Sequence, residues 1–406
     1  MDCRVEIPSM IDREATLPLS KSIMARALII NALAHNAVDC CDVDCCDDTM
    51  VMSRALSSGG DYIDVGAAGT AMRFLTAYFA CQDGRTVTLD GSDRMRQRPI
   101  KPLVDALRQM GASIDYLGNE GFPPLKIAGS KLHGGRIAMQ GDVSSQFISA
   151  LLMISPTMGG LTLELEGEIV SRPYIDMTLA LMRHYGVNAT WTIDERQIVV
   201  PAGQYIAKPL EIEGDWSAAS YWFALKALLR QSHIVLSPLN EHSIQGDRAI
   251  VEMMAPLGVN ASFIENRVEL KYQSVELPPH YHCDMTSTPD LVPTLAVTLC
   301  LLRVPFTLTG VRNLRIKESD RIKALTVELA KLGYTIESDD DTMCYNGNHS
   351  EPGRDITIDS HDDHRIAMAL SLAATRYPGI TIKNAEVVAK SYPNFFSQIL
   401  KTDNQQ

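Results

Sequence analysis

The sequence has no long apolar run and no excess of basic residues. No stretch of about 18 consecutive apolar residues occurs, so we expect no membrane-spanning helix. The formal net charge of −12 disfavours a general binder of nucleic acid or anionic membranes, although it leaves room for a local basic pocket. The opening residues, MDCRVEIPSM, lack an apolar signal core, and we therefore expect a cytoplasmic protein.

Regularly spaced cysteine pairs are also missing. Nine cysteines, an odd number, are scattered through 406 residues, which fits a reducing compartment better than a disulfide framework. The segment CCDVDCCDD raises the question of zinc, because it holds Cys40, Cys41, Cys45 and Cys46. Adjacent cysteines do not have the C-x2-C spacing of zinc sites. We therefore expect no metal and interpret these residues as buried or half-buried thiols in a strand.

A repeated unit dominates what the sequence does contain. A polar or glycine start, followed by about a dozen mostly apolar residues, begins at residues 20, 68, 144, 216, 288 and 362. A second helical pattern follows each copy. In four copies this second pattern reaches a glycine suited to a helix C-cap and then an alternating strand. The pattern predicts an α/β protein with six repeats of a two-helix, multi-strand unit.

Domain boundaries follow from the spacing of these units. The segment PAGQYIAKPLEIEG, at 201–214, separates the third copy from the fourth with two prolines and two glycines. It predicts one three-repeat domain at 20–212 and a second formed by 1–19 with 213–406. Because the leading segment 2–18 has no helix of its own, we expect it to complete the second domain. The chain then crosses between the domains twice, which predicts a hinge.

Charged and hydroxyl side chains collect at the predicted helix starts. Helix N-termini offer unpaired N–H groups and a favourable dipole to anions, and arginine adds a planar fork suited to phosphate or carboxylate. Serine, threonine and aspartate at these places also serve as helix caps. Capping does not require arginines near the helix starts, and the sequence places five of them there: Arg26, Arg73, Arg98, Arg321 and Arg365. If the repeats are equivalent, their helix starts face the same way, and we therefore expect a cleft between two facing domains that is lined with cations.

Nine motifs, in one order along nearly the whole chain, carry a resemblance to a known family. They are SKSIMARAL, AGTAMR, RMRQRPI, DVSSQF, SRPYIDMT, TPDLVPT, NLRIKESDR, DDHRIAMALSLAA and AKSYPNFF. In these motifs the sequence resembles the 3-phosphoshikimate 1-carboxyvinyltransferases, or EPSP synthases. The resemblance implies a two-domain inside-out α/β prism with three repeats in each domain.

The resemblance also implies an activity. Members of the family transfer the enolpyruvyl group of phosphoenolpyruvate to the 5-hydroxyl of shikimate 3-phosphate and release phosphate, a step of chorismate and aromatic amino-acid biosynthesis. No metal or organic cofactor is implied. The expected partners are the two small substrates, without nucleic acid or membrane, and we expect a monomer whose domains close on shikimate 3-phosphate.

Site residues follow from the motif positions that match the family. The residues implied for shikimate 3-phosphate are Lys21, Ser22, Arg26, Ser144, Ser145, Gln146, Ser171, Asp290, Asn313 and Lys317. Those implied for phosphoenolpyruvate are Lys21, Gly69, Arg98, Gln146, Arg321, Arg365 and Lys390. The chemistry needs a base near the attacking hydroxyl and an acid near the methylene carbon. Asp290 is the candidate base, Glu318 the candidate for proton transfer at carbon, and Lys21 the other acid or base candidate.

Three positions depart from the family pattern. Leu19 stands where the family commonly has glycine, Ala67 where it has asparagine, and Phe74 where it has proline. Ala67 removes an amide that would approach phosphoenolpyruvate. These departures bear on substrate affinity and on sensitivity to glyphosate. They leave the charged positions intact, so we expect an active enzyme.

Three other interpretations stay open at this point. The sister family that transfers enolpyruvyl to UDP-N-acetylglucosamine typically has a reactive cysteine on a loop, and LDGSDRMRQRPI, at 89–100, has none. A ring of six similar units that binds nucleic acid would need a basic channel, but not Asp290 and Glu318 among its cations. A catalytically degraded homologue would bind the substrates without turnover.

Overall fold

The computed structural model describes residues 1–35, 46–353 and 355–400. The chain divides into two compact units, one formed by residues 21–212 and the other by residues 1–20 together with 213–406. Of the cysteine cluster, Cys40, Cys41 and Cys45 lie outside the described residues. Cys46 is described, and it is a buried free thiol at the start of a helix.

Helices and strands alternate along the described ranges. The helices are α1 (Lys21–Leu33), α2 (Asp47–Ser57), α3 (Gly69–Ala80), α4 (Lys101–Gln109), α5 (Ser145–Ile154), α6 (Arg172–His184), α7 (Trp216–Leu228), α8 (Ile250–Met254), α9 (Val292–Leu301), α10 (Arg321–Lys331), α11 (His364–Ser371) and α12 (Phe395–Ile399). The strands are β1 (Cys3–Val5), β2 (Asp12–Thr16), β3 (Tyr62–Asp64), β4 (Thr86–Asp90), β5 (Ser113–Tyr116), β6 (Leu125–Ala128), β7 (Gly135–Gln140), β8 (Leu161–Glu166), β9 (Thr190–Trp191), β10 (Gln197–Val200), β11 (His233–Ser237), β12 (Val259–Ile264), β13 (Arg267–Tyr272), β14 (Tyr281–Asp284), β15 (Phe306–Thr309), β16 (Tyr334–Ser338), β17 (Thr342–His349), β18 (Thr357–Asp359) and β19 (Ile380–Lys383).

The helices of the unit 21–212 pack in an alternating set. α1, α3 and α5 contact one another, and α2, α4 and α6 each contact two of those three. α1, α3 and α5 are buried on nearly all sides, because their sequences are apolar around the whole helix. α4, with the sequence KPLVDALRQ, is amphipathic and buries one face. The first helix of each copy therefore forms the core of this unit.

The unit formed by 1–20 and 213–406 repeats this arrangement. α9 contacts α7 and α11, while α8 packs on α7 and α10 packs on α9 and α11. α7 and α9 are buried around almost their whole circumference. Large aromatic side chains fill this core, among them Trp216, Trp222 and Phe223.

In the described part of the chain, one strand pattern recurs in four sheets of four strands. Their orders are β3-β4-β6-β5, β7-β8-β10-β9, β2-β11-β13-β12 and β14-β15-β17-β16. In each sheet the first pair is parallel and the other two pairs are antiparallel. A fifth sheet has three strands, with β18 parallel and β1 antiparallel to β19. Because buried and more exposed residues alternate in strands such as β8, each sheet turns one face to the helices.

Two strands from the start of the chain pair with strands from its second half. β2 pairs with β11, and β1 pairs with β19. Just beyond β2, Leu19 forms an antiparallel bridge with Gly214, and the backbone N–H of Ser20 donates to the carbonyl of Glu213 at 2.8 Å. The two points where the chain passes between the units therefore lie side by side. Leu19 is not among the residues with positive φ, so a side chain fits its extended backbone without strain.

Four equivalent glycines end the second helical patterns. Gly111, Gly186, Gly258 and Gly333 have φ between 89° and 96°, a left-handed conformation that glycine adopts without a steric penalty. The predicted glycine C-caps are confirmed at these positions. In the described ranges, no helix combines the length and the apolar character needed to cross a membrane.

Candidate active site

A group of buried and half-buried charged side chains surrounds Arg321 in the unit formed by 1–20 and 213–406. Arg321 opens α10, and only 1% of its side chain is exposed. The group comes from four places: a 3-10 helix at Pro289–Leu291, the loop before α10, the start of α11, and a 3-10 helix at Ala385–Lys390. We call it the Arg321 cluster, and its members are Asp290, Lys317, Glu318, Arg321, Asp363, Arg365 and Lys390.

Arg321 joins the three carboxylates of the cluster. Its Nη1 lies 3.0 Å from Oδ1 of Asp290, and its Nη2 lies 3.0 Å from Oε2 of Glu318. Its Nε donates to Oδ2 of Asp363 at 2.8 Å. Asp363 also caps α11, because its Oδ1 accepts the backbone N–H of Arg365 at 3.0 Å. One guanidinium therefore fixes both predicted catalytic carboxylates of this unit against a helix start.

Each predicted catalytic carboxylate has a further cation beside it. Nη2 of Arg365 lies 2.8 Å from Oδ2 of Asp290, and Nζ of Lys317 lies 3.5 Å from Oδ1. Nζ of Lys390 lies 3.1 Å from Oε1 of Glu318. Burial alone raises the pKa of Asp290, but the surrounding cations, Arg365 foremost, hold that pKa well below its usual range. Asp290 is therefore ionised at neutral pH.

Two residues that the sequence did not predict belong beside this cluster. Ser217, in the first turn of α7, accepts a hydrogen bond from Nη2 of Arg365 at 3.3 Å and donates one to Oδ2 of Asp247. Asp247 lies in a 3-10 helix at Gly246–Ala249 and is buried. Burial, together with the nearby charge of Asp290, raises the pKa of Asp247 to about 6. Ser217 could have been predicted from WSAAS, which starts the first helix of the fourth repeat, because the other first-helix starts all hold candidate residues.

Lys21 opens α1 in the unit 21–212 and forms an ion pair there. Its Nζ lies 3.2 Å from Oδ2 of Asp48, and both side chains are largely buried. Asp48 lies in the first turn of α2. The sequence did not predict it, because CCDVDCCDD was interpreted only as a possible metal site.

Arg26, one turn further along α1, is held by neutral groups. Its Nε donates to Oγ1 of Thr178 at 2.7 Å, and its Nη1 donates to the carbonyl of Ser22 at 2.8 Å. Its Nη2 donates to Oγ of Ser149 at 3.2 Å and to the carbonyl of Tyr174 at 3.1 Å. Burial lowers the pKa of Arg26 to about 10, so its guanidinium remains charged at neutral pH.

Gly69 opens α3 and leaves room for two arginines. A Cβ at this position would lie 2.6 Å from Nη1 of Arg98 and 2.9 Å from Nη1 of Arg73, distances far too short for a side chain. Arg73 donates from Nη1 to the carbonyl of Gly69 at 3.0 Å. Ala67 precedes this turn and is exposed. Two buried guanidinium groups therefore lie against the first turn of α3.

Gln146 links two helix starts of the same unit. Its Nε2 donates to Oγ1 of Thr70, in the first turn of α3, at 3.0 Å. Ser144 caps α5 and accepts the backbone N–H of Gln146 at 3.4 Å. Ser171 is the N-cap residue of α6 and has φ of 54°, in the left-handed region that costs a serine on the order of 1 kcal/mol.

Besides Ser22, which contacts Arg26 through its backbone carbonyl, three predicted residues are not joined to the others by their side chains. Ser145 is buried in the first turn of α5, and Ser171 is buried at the start of α6. Asn313 is half-buried in a 3-10 helix at Arg312–Ile316. Within the described part of the chain, no side-chain hydrogen bond connects any of the three with another candidate. Nor do the described residues contain a group of His, Cys, Asp and Glu arranged for a metal ion.

Comparison with known proteins identifies the family. A family model described as EPSP synthase (3-phosphoshikimate 1-carboxyvinyltransferase) matches residues 53–399.

The chain belongs to the EPSP synthase family.

Curated relatives agree with this assignment over nearly the full length. A 3-phosphoshikimate 1-carboxyvinyltransferase of Bacteroides fragilis strain YCH46 is 47% identical over 396 residues, which cover 97% of this chain and 96% of that protein. Proteins of the same name from Idiomarina loihiensis and Histophilus somni strain 2336 are 38% and 35% identical. The matches cover 94% of both chains in the first case and 98% of both in the second.

A solved structure supports the fold. An EPSP synthase from Acinetobacter baumannii, determined at 2.37 Å, superposes with a TM-score of 0.71 at 21% sequence identity. The match covers 97% of this chain and 96% of the other. The predicted α/β fold of the EPSP synthases is confirmed.

Proposed function

We propose that this chain transfers the enolpyruvyl group of phosphoenolpyruvate to the 5-hydroxyl of shikimate 3-phosphate. The products are 5-enolpyruvylshikimate 3-phosphate and phosphate, and the step serves aromatic amino-acid biosynthesis. The observation that carries the proposal is the Arg321 cluster in a chain of this family. It holds carboxylates suited to moving protons among cations suited to binding two anions.

In the proposed addition step, the 5-hydroxyl oxygen attacks C2 of phosphoenolpyruvate. The hydroxyl proton passes to Asp290, while C3 receives a proton from Glu318 or Lys21. In the elimination step, C3 returns its proton to the group that supplied it, the bond from C2 to the phosphate oxygen breaks with its electron pair leaving on phosphate, and the departing phosphate takes the proton held by Asp290. The carboxylates thus end the cycle in the protonation state in which they began.

The proposed phosphoenolpyruvate ligands already hold carboxylates. Arg365 contacts Asp290, and Lys390 contacts Glu318. An arriving carboxylate or phosphate competes for the same N–H donors, so Asp290 and Glu318 lose part of their cationic surroundings. For Asp290 this loss removes part of what lowers its pKa, so Asp290 becomes a stronger base when the substrate is present. The remaining ligands proposed for phosphoenolpyruvate are Lys21, Gly69, Arg98, Gln146 and Arg321.

For shikimate 3-phosphate we propose neutral polar ligands, cationic ligands and one carboxylate. They are Lys21, Ser22, Arg26, Ser144, Ser145, Gln146, Ser171, Asp290, Asn313 and Lys317. Asp290 is the member with a chemical role, because a base must lie against the attacking hydroxyl.

Steady-state phosphate release tests the proposed activity. Native protein with both substrates should release phosphate and yield 5-enolpyruvylshikimate 3-phosphate by mass spectrometry, whereas either substrate alone should give neither. Asp290→Asn should lower turnover by about 10²–10⁴-fold, because it removes the base. Asp340→Asn, at an exposed position, is the matched control and should leave turnover unchanged. A folded native protein without turnover, or one that accepts UDP-N-acetylglucosamine instead, would contradict the proposal.

We further propose that segments 20–212 and 1–19 with 213–406 are domains of a monomer that close on shikimate 3-phosphate. The paired chain crossings at Leu19 and Gly214 support a double connection as the hinge. Small-angle scattering with and without shikimate 3-phosphate should show a smaller radius of gyration in its presence, together with a monomeric mass. An unchanged radius of gyration would count against closure.

A further inference from the structure

Arg26 commits most of its donors to the protein itself. A guanidinium carries five N–H groups. In the part of the chain that the structure describes, Nε uses its one N–H on Thr178, and Nη2 uses its two on Ser149 and Tyr174. Nη1 uses one N–H on the carbonyl of Ser22. One N–H, on Nη1, is therefore left to point at a ligand.

The groups that hold Arg26 leave its charge in place. Thr178 and Ser149 are fully buried hydroxyls whose oxygens lie 2.8 Å apart, and the other two acceptors are backbone carbonyls. None of the four is a carboxylate. Among the described residues Arg26 forms no ion pair, although only 2% of it is exposed. A buried, uncompensated charge of fixed orientation favours an anion at its free N–H.

An aromatic ring completes the surroundings of the guanidinium. Cζ of Arg26 lies 5.4 Å from the centroid of the Phe74 ring, within the range of a cation–π contact. Phe74 lies on α3 and is fully buried. Its ring attracts the guanidinium without accepting one of its hydrogen bonds. Phe74 therefore limits movement of Arg26 and keeps the remaining N–H available.

We infer that Thr178, Ser149 and Phe74 are positioning residues that hold Arg26 with one N–H directed at an anionic oxygen of shikimate 3-phosphate. They set the affinity for that substrate and do not touch it. The inference rests on the proposed function, which supplies the substrate. It predicts that loss of any one of the three weakens binding of shikimate 3-phosphate and leaves phosphoenolpyruvate binding nearly unchanged.

A matched pair of substitutions at Thr178 is the main test. Thr178→Val keeps the shape of the side chain but removes the acceptor for Nε. It should raise KM for shikimate 3-phosphate about tenfold, with KM for phosphoenolpyruvate and kcat within about twofold. Thr178→Ser restores the hydroxyl and should recover most of the native KM. Equal rises in both KM values, or a native KM in Thr178→Val, would overturn the inference.

Phe74 and Ser149 supply independent tests. Phe74→Leu removes the ring face and should raise KM for shikimate 3-phosphate about threefold to fivefold, whereas Phe74→Tyr keeps the ring and should stay near native. Ser149→Ala should act in the direction of Thr178→Val with a smaller effect. Thermal unfolding of each variant shows whether it folds. If Phe74→Leu and Phe74→Tyr have the same KM, the ring has no positioning role.

A readout without substrate separates this inference from the proposed function. In native protein with 15N-labelled arginine, the Nε–H of Arg26 should give a slowly exchanging signal, assigned by its loss in Arg26→Lys. That signal should broaden or exchange faster in Thr178→Val. A native protein that binds no shikimate 3-phosphate by calorimetry refutes the proposed function, and an Arg26 signal unchanged in Thr178→Val refutes the inference.

Discussion

Arg26 and Arg321 are both buried arginines near helix starts, yet they are held in opposite ways. Arg321 contacts three carboxylates, those of Asp290, Glu318 and Asp363. Arg26 contacts hydroxyls, carbonyls and an aromatic ring. The Arg321 cluster is therefore compensated in charge before any substrate arrives, whereas the surroundings of Arg26 are not.

The difference in partners indicates which function each of the two regions can serve. A compensated cluster keeps its cations buried and ordered in the absence of ligand, and its carboxylates are available for proton transfer. An uncompensated arginine contributes a fixed positive charge and no base. This comparison assigns proton transfer to the residues around Arg321 and substrate binding to the residues around Arg26.

The largest expected effect is on the free energy of unfolding when each arginine is replaced by methionine. Arg321→Met leaves three carboxylates without a shared partner and should lower the free energy of unfolding by about 3–5 kcal/mol. Arg26→Met leaves only neutral acceptors and should cost about 1–3 kcal/mol. Urea unfolding of both variants measures the difference. Equal losses would break the comparison between compensated and uncompensated arginines.

A second test concerns turnover and not stability. Lys21→Ala should reduce phosphate release by about 10³-fold, because it removes a candidate acid or base, while circular dichroism stays native. Lys101→Ala, at an exposed lysine, is the control. If Lys21→Ala keeps substantial turnover, the residues of the Arg321 cluster carry out the proton transfers without Lys21. The chemistry would then lie in the Arg321 cluster and not near Arg26.

A smaller effect on substrate affinity is expected at Gly69, where the absence of a side chain leaves room for two arginines. Gly69→Ala places a Cβ against Arg98 and Arg73, whose side-chain ends must shift. KM for phosphoenolpyruvate should rise about tenfold, a change of about 1.4 kcal/mol, with KM for shikimate 3-phosphate little affected. Gly203→Ala has nothing within 4 Å of its new Cβ and serves as the control. A rise of similar size in Gly203→Ala would assign the effect to glycine loss in general.

The smallest expected effect is a dependence of stability on pH around Asp247. Its pKa is raised to about 6 in the folded protein, so its contribution favours folding at low pH and is lost as pH rises through about 6. Asp290, whose pKa is lowered, contributes stability above the ordinary aspartate pKa and loses it as pH falls. Asp247→Asn should therefore stabilise the protein by about 1–2 kcal/mol at pH 7 relative to native, a gain that shrinks towards about pH 4.

Urea unfolding between pH 4 and pH 7 measures the effect of Asp247→Asn. Asp290→Asn should show the opposite sign at pH 7, since it removes a carboxylate that the cations stabilise. A stability difference that does not change with pH for Asp247→Asn would show that its carboxyl does not titrate in this range.

The repeats and the helix ends were predictable from the sequence because they depend on local patterns. Apolar residues around a whole helix predict a buried helix, and Gly111, Gly186, Gly258 and Gly333 follow their helices at equivalent places. The charged residues at helix starts were predictable for the same reason. The family was accessible through ordered motifs and not through periodicity.

The contacts inside each region were not predictable, because they join residues far apart in the chain. Thr178 and Ser149 look like ordinary hydroxyls inside apolar helices, and only packing brings them to Arg26, more than 100 residues away. Asp247 reaches the Arg321 cluster through Ser217, which the sequence does not indicate. Leu19 departs from the family pattern, yet extended backbone at that position accommodates it.

The pairing of β1 with β19 has a consequence for how the protein is made. Cys3 pairs with Ile382, so β1 completes its sheet only when β19, about 380 residues later in the chain, emerges from the ribosome. At synthesis rates of about 5–20 residues per second, that interval is on the order of 20 to 75 s. The described strands of residues 21–212 pair only with one another, so this segment can fold within that interval. β1 therefore stays without its sheet partner through most of translation, and completion of the second unit is the last event.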